Sequence, residues 1–156
     1  MKKVRFTSRS PKDTWELAAR LAGYLEPGDL IALKGELGAG KTEFVRGVAM
    51  GLGVPADSVA SPSFALAHHY KGRLPLVHLD LYRLTTVPED FFPDVEEYLS
   101  GPQVTAVEWA ERLGSLLPPE HVEVELVITG EAERQLLFTG HGPRGEKLVA
   151  LILKDS

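Results

Sequence analysis

Gly35-Glu36-Leu37-Gly38-Ala39-Gly40-Lys41-Thr42 completes the pattern G-x-x-x-x-G-K-[ST], and its reading decides the fold. Glycines let a backbone curl until several N–H groups converge on one centre. A lysine there brings a cation to the β- and γ-phosphates, and a threonine hydroxyl is a ligand for Mg²⁺. Such a loop needs a strand before it and a helix after it. Leu30-Ile31-Ala32-Leu33 is an apolar run of the kind a buried strand uses. Beyond the loop, Phe44, Val45, Val48, Ala49 and Leu52 recur at helical spacing, and Gly53 stands where a helix C-terminus takes glycine. A glycine-rich surface turn would need none of this context. The stretch predicts a bound nucleoside triphosphate with magnesium.

Working outward to the N-terminus, Ser10-Pro11-Lys12-Asp13 reads as a helix start, with Ser as cap, Pro in the first turn and an acid three residues after the cap. Trp15, Leu17, Ala18, Leu21, Ala22 and Leu25 mark the apolar side of a helix that ends near Glu26-Pro27-Gly28, and Val4-Arg5-Phe6-Thr7 suits an edge strand. The order strand, helix, strand, phosphate loop, helix is the grammar of an α/β sheet.

Toward the C-terminus, Ser61-Pro62-Ser63 lies where many phosphate-loop proteins keep a segment that senses the γ-phosphate; a turn whose serines cap backbone groups reads equally well. Residues 65–70 and 74–81 predict two strands joined by Lys71-Gly72-Arg73 as a tight turn, with Leu74, Leu76, His78 and Asp80 on one face. Asp80 thus ends an apolar strand, where acids that orient magnesium or water are placed; a solvated aspartate is the competing view. His68, His69 and His78 are not read as a metal site, because adjacent strand residues point to opposite faces and no cysteine assists. Val87-Pro88-Glu89-Asp90 opens a helix carrying Phe91, Phe92, Val95, Tyr98 and Leu99. Val104-Thr105-Ala106-Val107-Glu108 is a strand ending in a carboxylate, the shape of a Walker-B element with glutamate in the acidic place. Trp109 follows directly and on its own reads as a core residue rather than a nucleotide platform.

Residues 122–128, 134–138 and 147–153 are β-rich runs separated by glycine-containing turns, which predicts antiparallel pairing. The expected fold is therefore α/β: a P-loop NTPase-like mixed β-sheet flanked by helices, with antiparallel C-terminal strands, in one P-loop ATPase domain over residues 1–156.

Composition narrows the function classes. A chain of 156 residues with 44% hydrophobic and 25% charged residues suits one soluble globule. There is no apolar run long enough to span a bilayer, and Met1-Lys2-Lys3-Val4-Arg5 lacks the apolar core of a signal peptide, so a cytoplasmic location is expected. The absence of cysteine excludes disulfides, thiol catalysis and cysteine-ligated zinc. A net charge of −5 argues against autonomous nucleic-acid binding, so any contact with RNA would come through a partner.

Four blocks in this order and spacing, Leu37-Gly38-Ala39-Gly40-Lys41-Thr42, Ser61-Pro62-Ser63-Phe64, residues 78–84 (His-Leu-Asp-Leu-Tyr-Arg-Leu) and residues 107–112 (Val-Glu-Trp-Ala-Glu-Arg), resemble the TsaE (YjeE) family, the ATPase component of bacterial tRNA threonylcarbamoyladenosine synthesis. The resemblance spans residues 10–138. It implies ATP and Mg²⁺ as cofactors and assembly with the TsaD and TsaB proteins, which install threonylcarbamoyl on adenosine 37 of ANN-decoding tRNAs. It further implies that Thr42 and Glu108 hold magnesium, that Asp80 acts at the γ-phosphate or its water, that Trp109 supports the site, and that Arg134 lies near the nucleotide. The chain departs from the family at Glu36 for aspartate, Ser63 for threonine and Asp94 for glycine, the last within the 91–98 stretch of partner contacts. Glu43, in place of a second threonine, removes a hydroxyl near the α-phosphate and adds a negative charge.

The leading expectation is an ATPase acting on partner proteins, with Lys41, Asp80 and Glu108 as catalytic residues and residues 35–43, Asp80, Trp109 and Arg134 around the nucleotide. The alternatives are a small-molecule kinase, with Asp80 as base for an acceptor hydroxyl, and a nucleotide-dependent binding switch with little catalysis. A GTPase fits less well because no N-K-x-D tetrad is present.

Overall fold

The structure is a computed structural model that describes residues 2–55 and 67–155; the Ser61-Pro62-Ser63 segment lies outside them. The chain begins with strand β1 (Lys2–Ser8) and helix α1 (Pro11–Ala22). Ser10 caps α1 as its sequence predicts: its Oγ accepts the Asp13 N–H at 3.1 Å, while Asp13 reaches back to the Arg9 N–H at 2.9 Å. Strand β2 (Leu30–Lys34) leads into the phosphate loop and helix α2 (Lys41–Gly51). The hairpin β3 (Ala67–Tyr70) and β4 (Leu76–Asp80) follows, then a 3-10 turn (Glu89–Phe91) and helix α3 (Phe92–Ser100). Strand β5 (Val104–Glu108), a 3-10 segment (Ala110–Leu116), β6 (His121–Ile128), β7 (Arg134–His141) and helix α4 (Gly142–Lys154) complete the order.

One seven-stranded sheet runs β1-β7-β6-β2-β5-β4-β3. Its centre, β6-β2-β5-β4, is parallel, and its margins, β7-β1 and β3, are antiparallel. Strand β2 is apolar on both faces because both are covered. Ile31 and Leu33 join a core with Leu21, Phe44, Val48, Phe138 and Ile152 under α1, α2 and α4, whereas Leu30 and Ala32 join a second core with Leu79, Val95, Val107 and Leu113 under α3 and the second 3-10 segment.

The C-terminal expectation needs correction: residues 147–153 form the body of α4, not a strand. The run Leu148-Val149-Ala150-Leu151-Ile152-Leu153 is apolar throughout and so has no period of its own to separate strand from helix. Burial in the fold is helical: Leu148, Val149 and Ile152 are buried and Leu153 is exposed. Gly142-Pro143 starts the helix, a signal a strand reading leaves unused. The α4 helix is tied back by Arg144, whose guanidinium donates to both carboxylate oxygens of Asp29 at 2.9 and 2.8 Å.

The α1 and α2 helices touch backbone to backbone. A Cβ on Gly47 would stand 2.6 Å from the Trp15 carbonyl oxygen and 2.7 Å from Ala18 Cβ, and one on Gly51 would stand 2.6 Å from Ala22 Cβ. This close crossing fixes the axis of α2, and with it the loop at its N-terminus. No described helix is long and apolar enough to cross a membrane.

Candidate active site

The loop between β2 and α2 owes its path to glycine. Gly35, at φ +145°, turns so close under β6 that a Cβ would meet the Leu126 carbonyl oxygen at 2.6 Å. Gly40, at φ +107°, is the N-cap of α2 and offers no side chain to its first-turn amides. Those amides and the positive end of the helix axis suit an anion. Lys41 is buried, and its ammonium donates to the carbonyls of Gly35 at 2.5 Å and Glu36 at 2.9 Å.

Strand topology brings the two predicted carboxylates to this loop. Glu108 ends β5 between Leu33 of β2 and Asp80 of β4, both its register partners. The Thr42 hydroxyl donates to Glu108 at 2.9 Å (Oε2) and 3.1 Å (Oε1). The same Oε2 lies 2.6 Å from Nε2 of the fully buried His78. Asp80 accepts the Tyr82 N–H at 3.0 Å. Burial, then the neighbouring Glu108 charge, pushes the Asp80 carboxyl above its usual range; burial lowers the Lys41 ammonium, with Glu108 opposing that shift.

Trp109 takes a left-handed backbone, φ 60° and ψ 42°, rare for a side chain of its size. The turn swings its half-buried indole toward the loop, with Lys41 Nζ 4.1 Å from the ring centroid and the Arg112 guanidinium 4.7 Å from it. The indole thus lines the cavity while packing against the second core, the place that the sequence alone assigns it. Arg112 donates to the carbonyls of Leu81 (3.1 Å), Leu84 (3.0 Å) and Tyr82, clamping the turn after Asp80. Together, Gly38, Lys41, Thr42, Asp80, Glu108 and Trp109 border a cavity of about 350 Å³ that Tyr82 and Arg83 extend.

Arg134 bonds the carbonyls of Gly130 and Glu133 and reaches the loop at Gly38 O, 3.4 Å away. It lies not in the carboxylate cavity but beside a second recess of about 230 Å³ on the other side of the loop, shared with Ser10, Thr14, Gly40 and Glu43. Glu43 does not point an unbalanced charge at the loop: it accepts the Trp15 indole N–H at 2.9 Å and pairs with Arg46. Glu36 and Leu37 are exposed on the loop, and Ala39 is buried beneath it. Asp94 is exposed in the first turn of α3, where an acid favours the helix dipole.

Two contributors escaped the sequence reading. His78 was placed on the Asp80 face by strand alternation, but its role depends on β5 lying alongside β4. Arg112 closes the fourth of the blocks that carry the resemblance, but nothing local assigns it a role.

Comparison with known proteins identifies the family. The family described as "Threonylcarbamoyl adenosine biosynthesis protein TsaE" matches residues 8–136. The chain is 39% identical over 149 residues to the Bacillus subtilis (strain 168) protein named tRNA threonylcarbamoyladenosine biosynthesis protein TsaE, covering 95% of this chain and 92% of that one. It is 40% identical over 134 residues to the Treponema pallidum (strain Nichols) protein of the same name, covering 85% and 98%. The crystal structure of Bacillus subtilis YdiB superposes with a TM-score of 0.82 at 33% identity, covering 99% of this chain and 96% of that one. With its phosphate loop facing two strand-end carboxylates, the chain belongs to the TsaE family.

Proposed function

We propose that this chain binds ATP with Mg²⁺ and hydrolyses it in support of threonylcarbamoyl transfer to adenosine 37 of tRNA, acting on a complex of the TsaD and TsaB type. The observation that carries this reading is the contact of Thr42 with Glu108 at 2.9 Å beside Asp80, at the mouth of a phosphate loop. The donors fit a hard divalent cation: a hydroxyl and carboxylates, all oxygen. Thr42 and Glu108 would hold Mg²⁺, which when bound supplies positive charge to the phosphate oxygens.

The chain's own residues divide the remaining work. Loop and α2 amides receive the β- and γ-phosphates. Lys41 exchanges the carbonyls of Gly35 and Glu36 for phosphate oxygens, so its charge is held ready and not screened by water. Glu108, positioned by Thr42 and His78, would be given over to Mg²⁺, which leaves Asp80 to orient the attacking water. Its raised proton affinity makes it the better acceptor of that water's hydrogen bond. Water attacks the γ-phosphorus, the bond to the β-bridging oxygen breaks, and ADP and phosphate result. The recess beside Arg134 accommodates ribose and base. With a net charge of −5, the chain relies on its partners for tRNA contact.

The test is phosphate release from ATP by the protein alone, with a TsaD–TsaB complex, and with tRNA added. Hydrolysis stimulated by the complex and lost in Lys41→Ala is expected. Native-rate hydrolysis by Lys41→Ala would overturn the site, and an unstimulated rate would overturn the partner reading. Transfer of labelled γ-phosphate to a nucleoside instead of water would identify a kinase.

A further inference from the structure

At the other end of the sheet's parallel strands, three metal-ligating side chains meet on one face of the β6-β7 pair. His121 and His141 are direct cross-strand partners, their rings stacked with centroids 4.4 Å apart and planes 18° apart. Glu123 is two residues along β6 from His121 and therefore on the same face. One donor atom from each of the three lies within 4.8 Å of the others. Val122 pairs with Ile31, so this cluster sits beside the start of β2, whereas the phosphate loop leaves from its end.

From this geometry we infer that His121, Glu123 and His141 form a second cation site, for a first-row transition metal of the Zn²⁺ class, separate from the phosphate loop. The donor set of two imidazoles and one carboxylate is a recognised three-ligand arrangement for such ions and unlike the all-oxygen set that suits Mg²⁺. Its spacing is nearly right. Ligands bonded at 2.0–2.1 Å in a tetrahedron stand about 3.3 Å apart, and His141 Nε2 is already 3.2 Å from Glu123 Oε1. Closing the triangle requires that the stacked rings splay and that Lys34 yield the carboxylate oxygen.

A further contact prepares His121. Its Nδ1 lies 2.8 Å from the Pro118 carbonyl oxygen. A carbonyl only accepts, so Nδ1 is the donor, and in the neutral ring Nε2 keeps its lone pair. Ligand histidines are commonly oriented by just such a bond from the other nitrogen to a backbone carbonyl. The cation takes the place of the proton now shared by His141 Nε2 and Glu123 Oε1. Lys34 Nζ, 3.2 Å from the same oxygen, is its competitor. His121 is buried, while the Glu123 and His141 side chains are 19% and 24% exposed, which leaves a fourth position for water.

The test is calorimetric titration of chelator-stripped, nucleotide-free full-length protein with Zn²⁺, comparing the native chain with Glu123→Gln, His141→Ala and Lys34→Met. The native chain is expected to take up one equivalent that Glu123→Gln and His141→Ala bind at least tenfold more weakly and Lys34→Met binds more tightly. Co²⁺ in place of Zn²⁺ should give visible ligand-field absorption in the native chain that both ligand variants lose. Glu123→Gln is nearly isosteric and decides the matter if His141→Ala does not fold. Absence of uptake by the native chain, or isotherms that superpose for the native chain and Glu123→Gln, overturns the site. Zn²⁺ held at Asp80 and Glu108 would be retained by both ligand variants and so is distinguished.

Discussion

His78 and Glu108, buried on neighbouring strands, meet ring nitrogen to carboxylate oxygen at 2.6 Å, at the same Oε2 that accepts the Thr42 hydroxyl at 2.9 Å. The carboxylate is therefore held by two elements, through a hydroxyl from α2 and an imidazole from β4. A partner of this kind typically accounts for 10–100-fold in metal affinity or activity. His78→Ala should lower ATP hydrolysis by about that factor and raise the Mg²⁺ concentration needed for half-maximal rate, with His78→Asn recovering part of the loss. Equal Mg²⁺ dependence in native and His78→Ala proteins would remove His78 from the site.

The pH dependence follows from two opposed shifts. Because the Asp80 carboxyl is pushed up in the free protein, kcat/KM for hydrolysis should begin to fall with decreasing pH above the usual carboxylate range. Because the Lys41 ammonium is pushed down, nucleotide affinity should fall with increasing pH before the ordinary lysine value of 10.5 is reached. For stability the sign is equally definite. Asp80 binds its proton more tightly folded than unfolded, so its ionised form opposes folding near neutrality, and the penalty fades as pH falls through the raised folded value. Asp80→Asn should thus be more stable than the native chain near pH 7, with the advantage vanishing in acid, as denaturant titrations at the two pH values will show.

Gly47 is where α2 leans on α1, and there is no room for a methyl group against the Trp15 carbonyl oxygen. Gly47→Ala should cost about 1–3 kcal/mol of stability through overpacking. It should also weaken nucleotide binding, because a tilted α2 carries Lys41 and Thr42 with it. Urea unfolding and nucleotide titration on one preparation measure both effects.

Glu43 is predicted to matter for stability rather than for the nucleotide. Its carboxylate ties the Trp15 indole N–H and Arg46 together across the α1-α2 contact. Glu43→Ala should lose about 1–2 kcal/mol without reducing ATP affinity. A large loss of affinity at unchanged stability would instead place Glu43 against the ligand.

What was legible in the sequence was local or periodic. The phosphate loop, the Ser10 cap and the strand-end positions of Asp80 and Glu108 each rest on a few adjacent residues, and all recur in the fold. Residues 147–153 misled because an unbroken apolar run carries no period; the helix is recognisable only from which side chains the sheet buries. The grip of His78 on Glu108, the clamp of Arg112 and the meeting of His121 with His141 were invisible for another reason. Each joins residues far apart in the chain, and only strand order makes them neighbours.

Trp109 carries a consequence for how this protein can change over generations. Its left-handed backbone costs on the order of 1–2 kcal/mol for a residue with a side chain, so glycine would relax the turn there. Glycine would equally uncover Lys41 and Arg112, which share the indole. A β-branched residue would deepen the strain and supply no ring at all. Glycine, which gains in the backbone, and a β-branched residue, which gains nothing, both give up the ring that Lys41 and Arg112 share, so only another aromatic side chain keeps both cations covered.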